Sequence, residues 1–368
     1  MKTSKLLSTT VLVSAAALIA AAPASAAKLK LGGYYEQWFG WGADGKNTPQ
    51  SNFDVKNDAE IYFSFKEKLS NGMTVGGRFE MEAGNGNSGQ GACTVSQATI
   101  NAGSDVSCKG SNDFDETSVY ISGSFGKLQL GNNDVAAASA GGVSVVGPVG
   151  IIKSDAGDWI PANGSLADSD NDLGMGDAQN IHYSTPKING LQLSVSYTPD
   201  KSDGVNSAFD DSETSGIKDG VSGLIKYSGK FGGAGVTLAL GRSEVENGTY
   251  TRQGTNISLK LSTGPYTITA TNSEEKLAAN DKQKFFGAGL IYKLDKANSV
   301  SVGYGKGQKV NTSGSDTEQT VYTVGASRNL GKGVSISASV FNSETQNQSA
   351  SSTNVDDTGF AAGVRVNF

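Results

Sequence analysis

Apolar and polar positions alternate with a period of two along most of this chain. At its end Phe360, Ala362, Val364, Val366 and Phe368 share one parity, while Ala361, Gly363, Arg365 and Asn367 share the other. Successive side chains of a strand point to opposite faces, so one face is apolar and the other polar or small. Such a pattern suits a wall between lipid and water. It recurs in hairpin pairs. Ala59, Ile61, Phe63 and Phe65 lead through Leu69-Ser70-Asn71-Gly72 to Met73, Val75, Phe79 and Met81, and Asn-Gly is a strong hairpin signal. Val119 and Ile121 pair with Leu128 and Leu130, and Ile181 and Tyr183 with Leu191 to Tyr197. Val221 to Tyr227 pair with Val236 to Leu240, and Ile257 to Leu261 with Tyr266 to Ala270. Phe286 to Tyr292 pair with Val300 to Tyr304, and Tyr322 to Ala326 with Val334 to Val340.

Seven hairpins, a first strand over 28–41 and a last over 356–368 make sixteen strands. The even number suits a closed, antiparallel transmembrane β-barrel. The expected fold class is therefore all-β. Turns alternate strictly between short and long, with the long loops at 83–113, 131–178, 199–219 and 342–355. A soluble sandwich also alternates, but its loops are of similar length at both ends. Tyr35, Trp38, Phe39, Trp41, Tyr197, Tyr227, Tyr266, Tyr292 and Phe368 cluster near predicted strand ends, where amphipathic rings favour the headgroup level.

The first 26 residues read as a removable export signal: Lys2 and Lys5, an apolar run from Leu6 to Ala22, then Ala24-Ser25-Ala26. Residues 27–368 then form one barrel domain, with no composition break to mark a linker. Without Lys2 and Lys5, the 30 basic residues become 28 against 36 acidic ones, a net of −8. That balance argues against nucleic acid as a partner, since phosphates require a basic footprint. Beyond residue 26 no apolar run is long enough for a spanning helix. Cys93 and Cys108 are the two cysteines. In an exported chain a disulfide is the leading reading, contributing roughly 3 kcal/mol by loop closure.

The order and spacing of several stretches resemble the general, trimeric porins of Gram-negative outer membranes, with the nearest likeness to alphaproteobacterial members. These stretches are Leu31-Gly32-Gly33-Tyr34-Tyr35, Val119 to Gly131, Tyr183 to Leu191, and Gly363-Val364-Arg365-Val366-Asn367-Phe368. The resemblance spans essentially the whole mature chain. It implies a sixteen-stranded barrel, a homotrimer in outer-membrane lipid, and a third outer loop folded into the lumen. It also implies that Phe368 is an assembly signal read by the insertion machinery.

The stretch 131–178 falls where that constriction loop belongs. It carries Asp134, Asp155, Asp158, Asp168, Asp170, Asp172 and Asp177 against Lys153. One reading is a solvated outer loop. The other folds the carboxylates inward, with Val143 to Ile152 and Trp159-Ile160-Pro161 giving the loop something to pack on. Arg78, Arg365, Lys30, Lys66, Arg242 and Lys260 stand at positions expected to face the lumen as a basic pore wall, since a basic residue at the lipid midplane costs roughly 2–4 kcal/mol. Opposed charges would set ion preference, with a mild bias to cations. Glu60, Glu80 and Glu82 are expected on the same face. Tyr34, Tyr62 and Tyr120 also fall inward, as wall fillers or as a surface for sugars.

His182 lacks any nucleophile motif beside it, so no enzymatic activity is expected. One histidine and two distant cysteines make no zinc site. Gly84 to Gly89 matches a dinucleotide fingerprint in spelling only, without a following helix, and no cofactor is expected. Asp105, Asp113, Asp115 and Glu116 lack the twelve-residue calcium pattern. The expected function is passive diffusion of small hydrophilic solutes and ions across the cell outer membrane. A substrate-selective sugar or ion channel is the alternative.

Overall fold

A computed structural model describes residues 27–43, 53–82, 114–151, 159–160, 172–176, 178–200, 216–248, 250–277, 281–310, 316–347 and 354–368. The candidate export signal, Cys93, Cys108, Asp155, Asp158, Asp168 and Asp170 lie outside the described residues. Sixteen strands follow one another: β1 (Lys28–Ala43), β2 (Phe53–Lys68), β3 (Thr74–Glu82), β4 (Phe114–Gly123), β5 (Gly126–Asn132), β6 (Gln179–Ser184), β7 (Leu191–Asp200), β8 (Ile217–Phe231), β9 (Ala234–Asn247), β10 (Tyr250–Thr263), β11 (Tyr266–Lys276), β12 (Lys282–Lys293), β13 (Asn298–Val310), β14 (Thr317–Gly331), β15 (Val334–Asn347) and β16 (Val355–Asn367). Each pairs antiparallel with its sequence neighbours, and β1 pairs with β16 to close the barrel. Closure leaves no strand edge to be satisfied inside lipid.

The registers turn the sequence alternation into two surfaces. One outward row runs Val302, Val324, Val340, Phe360, Trp41 and Phe53 across β13 to β16, β1 and β2. Another runs Leu29, Phe65, Gly77, Val119, Leu130, Ile181 and Tyr197. Apart from the half-buried Phe65, the large apolar side chains on these rows are exposed, as a lipid-facing belt requires. Tyr266 stacks near Tyr292 at the short-turn end, with ring centroids 5.0 Å apart. At the other end Phe286, Tyr304 and Tyr322 form a row with centroids 6.3 and 5.4 Å apart.

The short turns follow their residue chemistry. At the β2–β3 turn Gly72 takes φ 85°, and Asn71 Oδ1 accepts from Met73 N at 3.0 Å. Between β12 and β13, Asp295 accepts from Asn298 Nδ2 at 2.7 Å and from the backbone N–H groups of Ala297 and Asn298 at 2.7 and 2.8 Å. These bonds, the Asn298 side chain foremost, hold its carboxylate below its ordinary range.

The strict alternation of short and long turns does not hold. On the long-loop side β9 and β10 are joined by residues 248–249 alone. The expected loop 342–355 also begins late, because β15 continues to Asn347. Likewise β5 runs to Asn132 and β7 to Asp200. The physical reason is that a strand need not end where its apolar belt ends. Arg242, Glu244 and Glu246 continue the outward parity of β9 beyond Leu240 with polar side chains, still paired to β10.

Candidate functional site

The lumen is built by what the inward parity carries. On β7 to β15 it is rich in Ser, Thr and Gly, whereas on β1 to β5 it carries Tyr34, Glu36, Glu60, Tyr62, Arg78, Glu80, Tyr120 and Lys127. Small residues leave room for something to lie on the wall, and the segment after β5 lies there. It starts at Asn133, whose Nδ2 donates to Asn180 Oδ1 at 3.2 Å. It then forms a short 3-10 turn, Ala136–Ala140, against β8, β9 and β10.

Wall hydroxyls hold this segment strand by strand. Ala136 N donates to Ser196 Oγ on β7 at 2.9 Å, and Ala137 N to Ser222 Oγ on β8 at 2.8 Å. Ser258 Oγ on β10 donates to the carbonyl of Ala140. Ser144 N donates to Thr269 Oγ1 on β11 at 2.8 Å, and Val146 N to Ser301 Oγ on β13 at 2.9 Å. Val149 N reaches Ser339 Oγ on β15 at 3.4 Å. A backbone buried without such partners would lose about 1–3 kcal/mol per orphaned group. Apolar contacts fix the far end: Val149, Ile151 and Ile160 are buried with Phe285, Val321, Phe341 and Ala361. Glycines make the fit possible. A Cβ on Gly303 would stand 2.6 Å from Ile151 Cδ1, and one on Gly325 would stand 2.9 Å from the carbonyl carbon of Val146. Trp159 lies against Gly40 of β1, with Lys56 Nζ 4.7 Å from its ring centroid.

The returning stretch packs on the same side. Leu173 and Met175 are buried with Val135 and Val245, and Arg252 Nη1 donates to the carbonyl of Leu173 at 3.0 Å. The segment thus lines the inner wall from β7 around to β1. The bulky polar residues of β1 to β5 and β16 face it from the remaining arc. There Arg78 pairs with Glu80 and lies 4.0 Å over the ring of Tyr62. Arg365 pairs with Glu36 and lies 3.9 Å over Tyr34. Lys127 Nζ sits 4.6 Å over Tyr120.

The expected site residues divide accordingly. Arg78 and Arg365 face inward, and so do Lys30, Lys66 and Lys260, opposite Ser64, Lys28 and Thr269. Each of the two arginines has a carboxylate beside it, so that wall is mixed in charge. The tyrosine faces expected as a surface for sugars carry cationic groups. Asp134 lies at the segment's start, where its carbonyl is 3.3 Å from His182 Nδ1. Asp172 turns its own stretch, accepting from Gly174 N at 2.7 Å. Arg242 is a correction: it stands on the outward face, in the parity of Leu238 and Leu240, bonded to Thr255 Oγ1 at 2.8 Å. It escapes the lipid penalty because it sits beyond the last apolar position of its strand. Phe368 is outward and exposed, its backbone N and O bonded to Gly33. The residues that the sequence reading missed are the hydroxyls Ser196, Ser222, Ser258, Thr269, Ser301 and Ser339. Their signal was the run of small inward residues.

A family model described as Gram-negative porin matches residues 8–348. Among solved structures, the fold is similar to an anion-selective porin from Comamonas acidovorans, at 17% identity and TM-score 0.62, covering 93% of this chain and 100% of that one. It is also similar to OmpT, an outer membrane protein of Vibrio cholerae, at 10% identity and TM-score 0.60, covering 94% and 98%. The outer membrane channel DcaP of Acinetobacter baumannii matches at 11% identity and TM-score 0.59, covering 93% and 97%. No curated protein sequence matches.

Proposed function

Because this chain belongs to the Gram-negative porin family, we propose that its water-filled lumen is narrowed by the segment after β5 and that this narrowing sets which solutes and ions pass. The protein is an outer-membrane channel for passive diffusion. The observation that carries the narrowing is the series of bonds between the segment's backbone and the inward hydroxyls of six wall strands. A segment held against the greater part of the wall leaves solutes the remaining arc, lined by Arg78, Arg365, Glu36, Glu80 and their tyrosines.

The carboxylates of the segment, Asp134, Asp155, Asp158, Asp168, Asp170 and Asp172, supply negative charge to that opening, and a net acidic constriction favours cations. Arg78, Arg365, Lys30 and Lys66 form the facing wall, whereas Lys260 stands on β10, on the wall that carries the segment. Among the related structures is a trimer form of OmpT, and a homotrimer is the assembly we propose here. Its other proposed features are a removable signal over 1–26, a Cys93–Cys108 disulfide, and a role for Phe368 in recognition by the insertion machinery. The test is reversal potential in a salt gradient across a planar bilayer. Exchanging Asp155, Asp158 and Asp168 for Asn should move selectivity toward anions. An unchanged reversal potential would remove these carboxylates from the constriction.

A further inference from the structure

The lumen carries unlike charge at its two ends. Among the described residues, the three inward positions nearest the short turns hold no Asp or Glu on any strand. Lysines stand there on β1, β2, β5, β8, β10 and β12. Carboxylates begin deeper, with Glu80, Glu116, Glu60 and Glu36, and Asp58, Glu275 and Asp357 follow toward the long loops. The short-turn vestibule is therefore basic in a chain whose net charge is −6. Several of its cations are already engaged. Arg78 and Arg365 pair with Glu80 and Glu36. Lys127 donates to Gln129 Oε1, and Lys226 donates to the carbonyl of Ser139 at 3.0 Å.

Four lysines on β1 and β2 are not engaged in this way. Lys28 and Lys66 are direct cross-strand partners, Lys30 stands opposite Ser64, and Lys68 stands opposite Thr74. Their side chains share the inward face. Lys28 and Lys66 therefore start about 5 Å apart, and Lys30 and Lys68 each add a diagonal neighbour at about 7–8 Å. All four are exposed, and among the described residues none makes an ion pair. Glu67 lies between two of them in sequence but takes the other face, opposite Val75. Phe368 keeps its backbone at Gly33, on the outward parity. Like charges directly opposite one another repel, so this group lacks the counter-charge that the deeper arginines have.

We propose that Lys28, Lys30, Lys66 and Lys68 bind a soluble polyvalent anion, of the linear oligophosphate class, that enters the vestibule from the short-turn side and hinders current through the channel. The proposal rests on the reading of the lumen as a water-filled path. Lysine holds phosphate as a point charge, and a chain of phosphates places one negative group after another along the four ammonium groups, with Ser64 and Thr74 as flanking hydroxyls. Salt screens charges beyond about 10 Å at 0.1 M. The four lysines lie within that distance of one another and act together, whereas Lys230, Lys260 and Lys293, on distant strands, lend only a general positive field. That field raises the local concentration of anions, because a cleft with walls of one sign and low dielectric focuses it. A single phosphate engages fewer of the four and binds less tightly. The acidic residues deeper in the lumen repel the anion, so it stops in the vestibule and reaches it from one side only.

The experiment inserts the full mature chain into a planar bilayer and adds sodium tripolyphosphate at constant ionic strength, first to one side and then, with a fresh channel, to the other. Current should fall with concentration from one side only, at the polarity that drives anions inward. Each ammonium in contact with a phosphate strengthens binding roughly fivefold in water-like surroundings. The variants Lys28→Gln/Lys66→Gln and Lys30→Gln/Lys68→Gln should therefore each raise the half-blocking concentration about twentyfold. Lys296→Gln/Lys332→Gln, in two turns away from the four, should leave it nearly unchanged. Faster migration of unheated than of heated protein on gels reports that each barrel has formed. Unblocked current from both sides, equal block from both sides, or undiminished block in both lysine variants would overturn the proposal. So would equally strong block by orthophosphate, which would mean that the lysines do not act together. Equilibrium dialysis of tripolyphosphate against the detergent-solubilised chain reads the same site without current. Absent conductance, with dialysis binding that the lysine variants lose, would count against the channel reading and uphold the anion site.

Discussion

Placing a methyl group on Gly325 should dislodge the lumen segment without breaking the barrel. Gly325 faces inward on β14, and an added Cβ would overlap the carbonyl oxygen of Val146 and stand 2.9 Å from its carbon. The obstacle is backbone, so no flexible side chain can swing aside. Overpacking of this kind costs about 1–3 kcal/mol. The displaced carbonyl also lies in a reciprocal pair: Val146 N donates to Ser301 Oγ at 2.9 Å, and Ser301 Oγ donates to Val146 O at 3.2 Å. Losing both removes about 1–3 kcal/mol more. The docked position of the segment therefore weakens by about 2–6 kcal/mol, and even the lower figure lowers the docked-to-free ratio about thirtyfold. The barrel's own strand pairing does not use the segment, so the sheet should form normally. Single-channel recordings of Gly325→Ala should show frequent current interruptions as the loosened segment crosses the open arc. Gly235→Ala, where the nearest atom to the new Cβ is 3.8 Å away, should behave as wild type. If both variants give the same steady current, the segment is not held by the contacts described and the reasoning fails.

Ser301→Ala removes the same pair without overpacking, and its interruptions should be fewer than those of Gly325→Ala; a record noisier than that of Gly325→Ala would contradict the sum above. Arg78→Leu strips the partner from Glu80, which is 6% exposed, so cation selectivity should rise in reversal-potential measurements, and a shift toward anions would refute the assignment of Arg78 to the conducting arc. Deleting Phe368 removes two backbone bonds to Gly33 and should lower the yield of heat-resistant assembled protein on gels; undiminished yield would argue against its role. Asp295 has a lowered pKa in the folded state, so its stabilising contribution is present above the unfolded value near about 3.9 and is lost as pH falls through the folded one. The gap in thermal midpoint between wild type and Asp295→Ala should accordingly close on acidification below about pH 4, and a constant gap would show that the turn does not depend on the ionised carboxylate.

Much of the wall was legible because its rule is local. Phe360, Val364 and Phe368 declare one face and Arg365 the other, whatever the neighbouring strands do. The Asn71-Gly72 turn was likewise readable from two residues. Arg242 was misplaced because parity has no absolute reference once the apolar markers stop; only its pairing with Thr255 and Gly223 fixes the side it takes. The inward tyrosines were found, but their arginine partners were not, since Tyr34 and Arg365 lie at opposite ends of the chain.

The amino-acid order determined by itself that this chain makes a closed sheet with an apolar outside, because side-chain alternation is a property of each strand alone. It also marked the long acidic stretch after β5. Where that stretch goes was decided by tertiary structure. The hydroxyls that receive it come from six strands spread over 144 residues, from Ser196 to Ser339, and no local pattern carries the information that barrel closure brings them to face one segment. Closure also gave the wall its two unlike parts, one small enough to be covered and one bulky, charged and open to solutes.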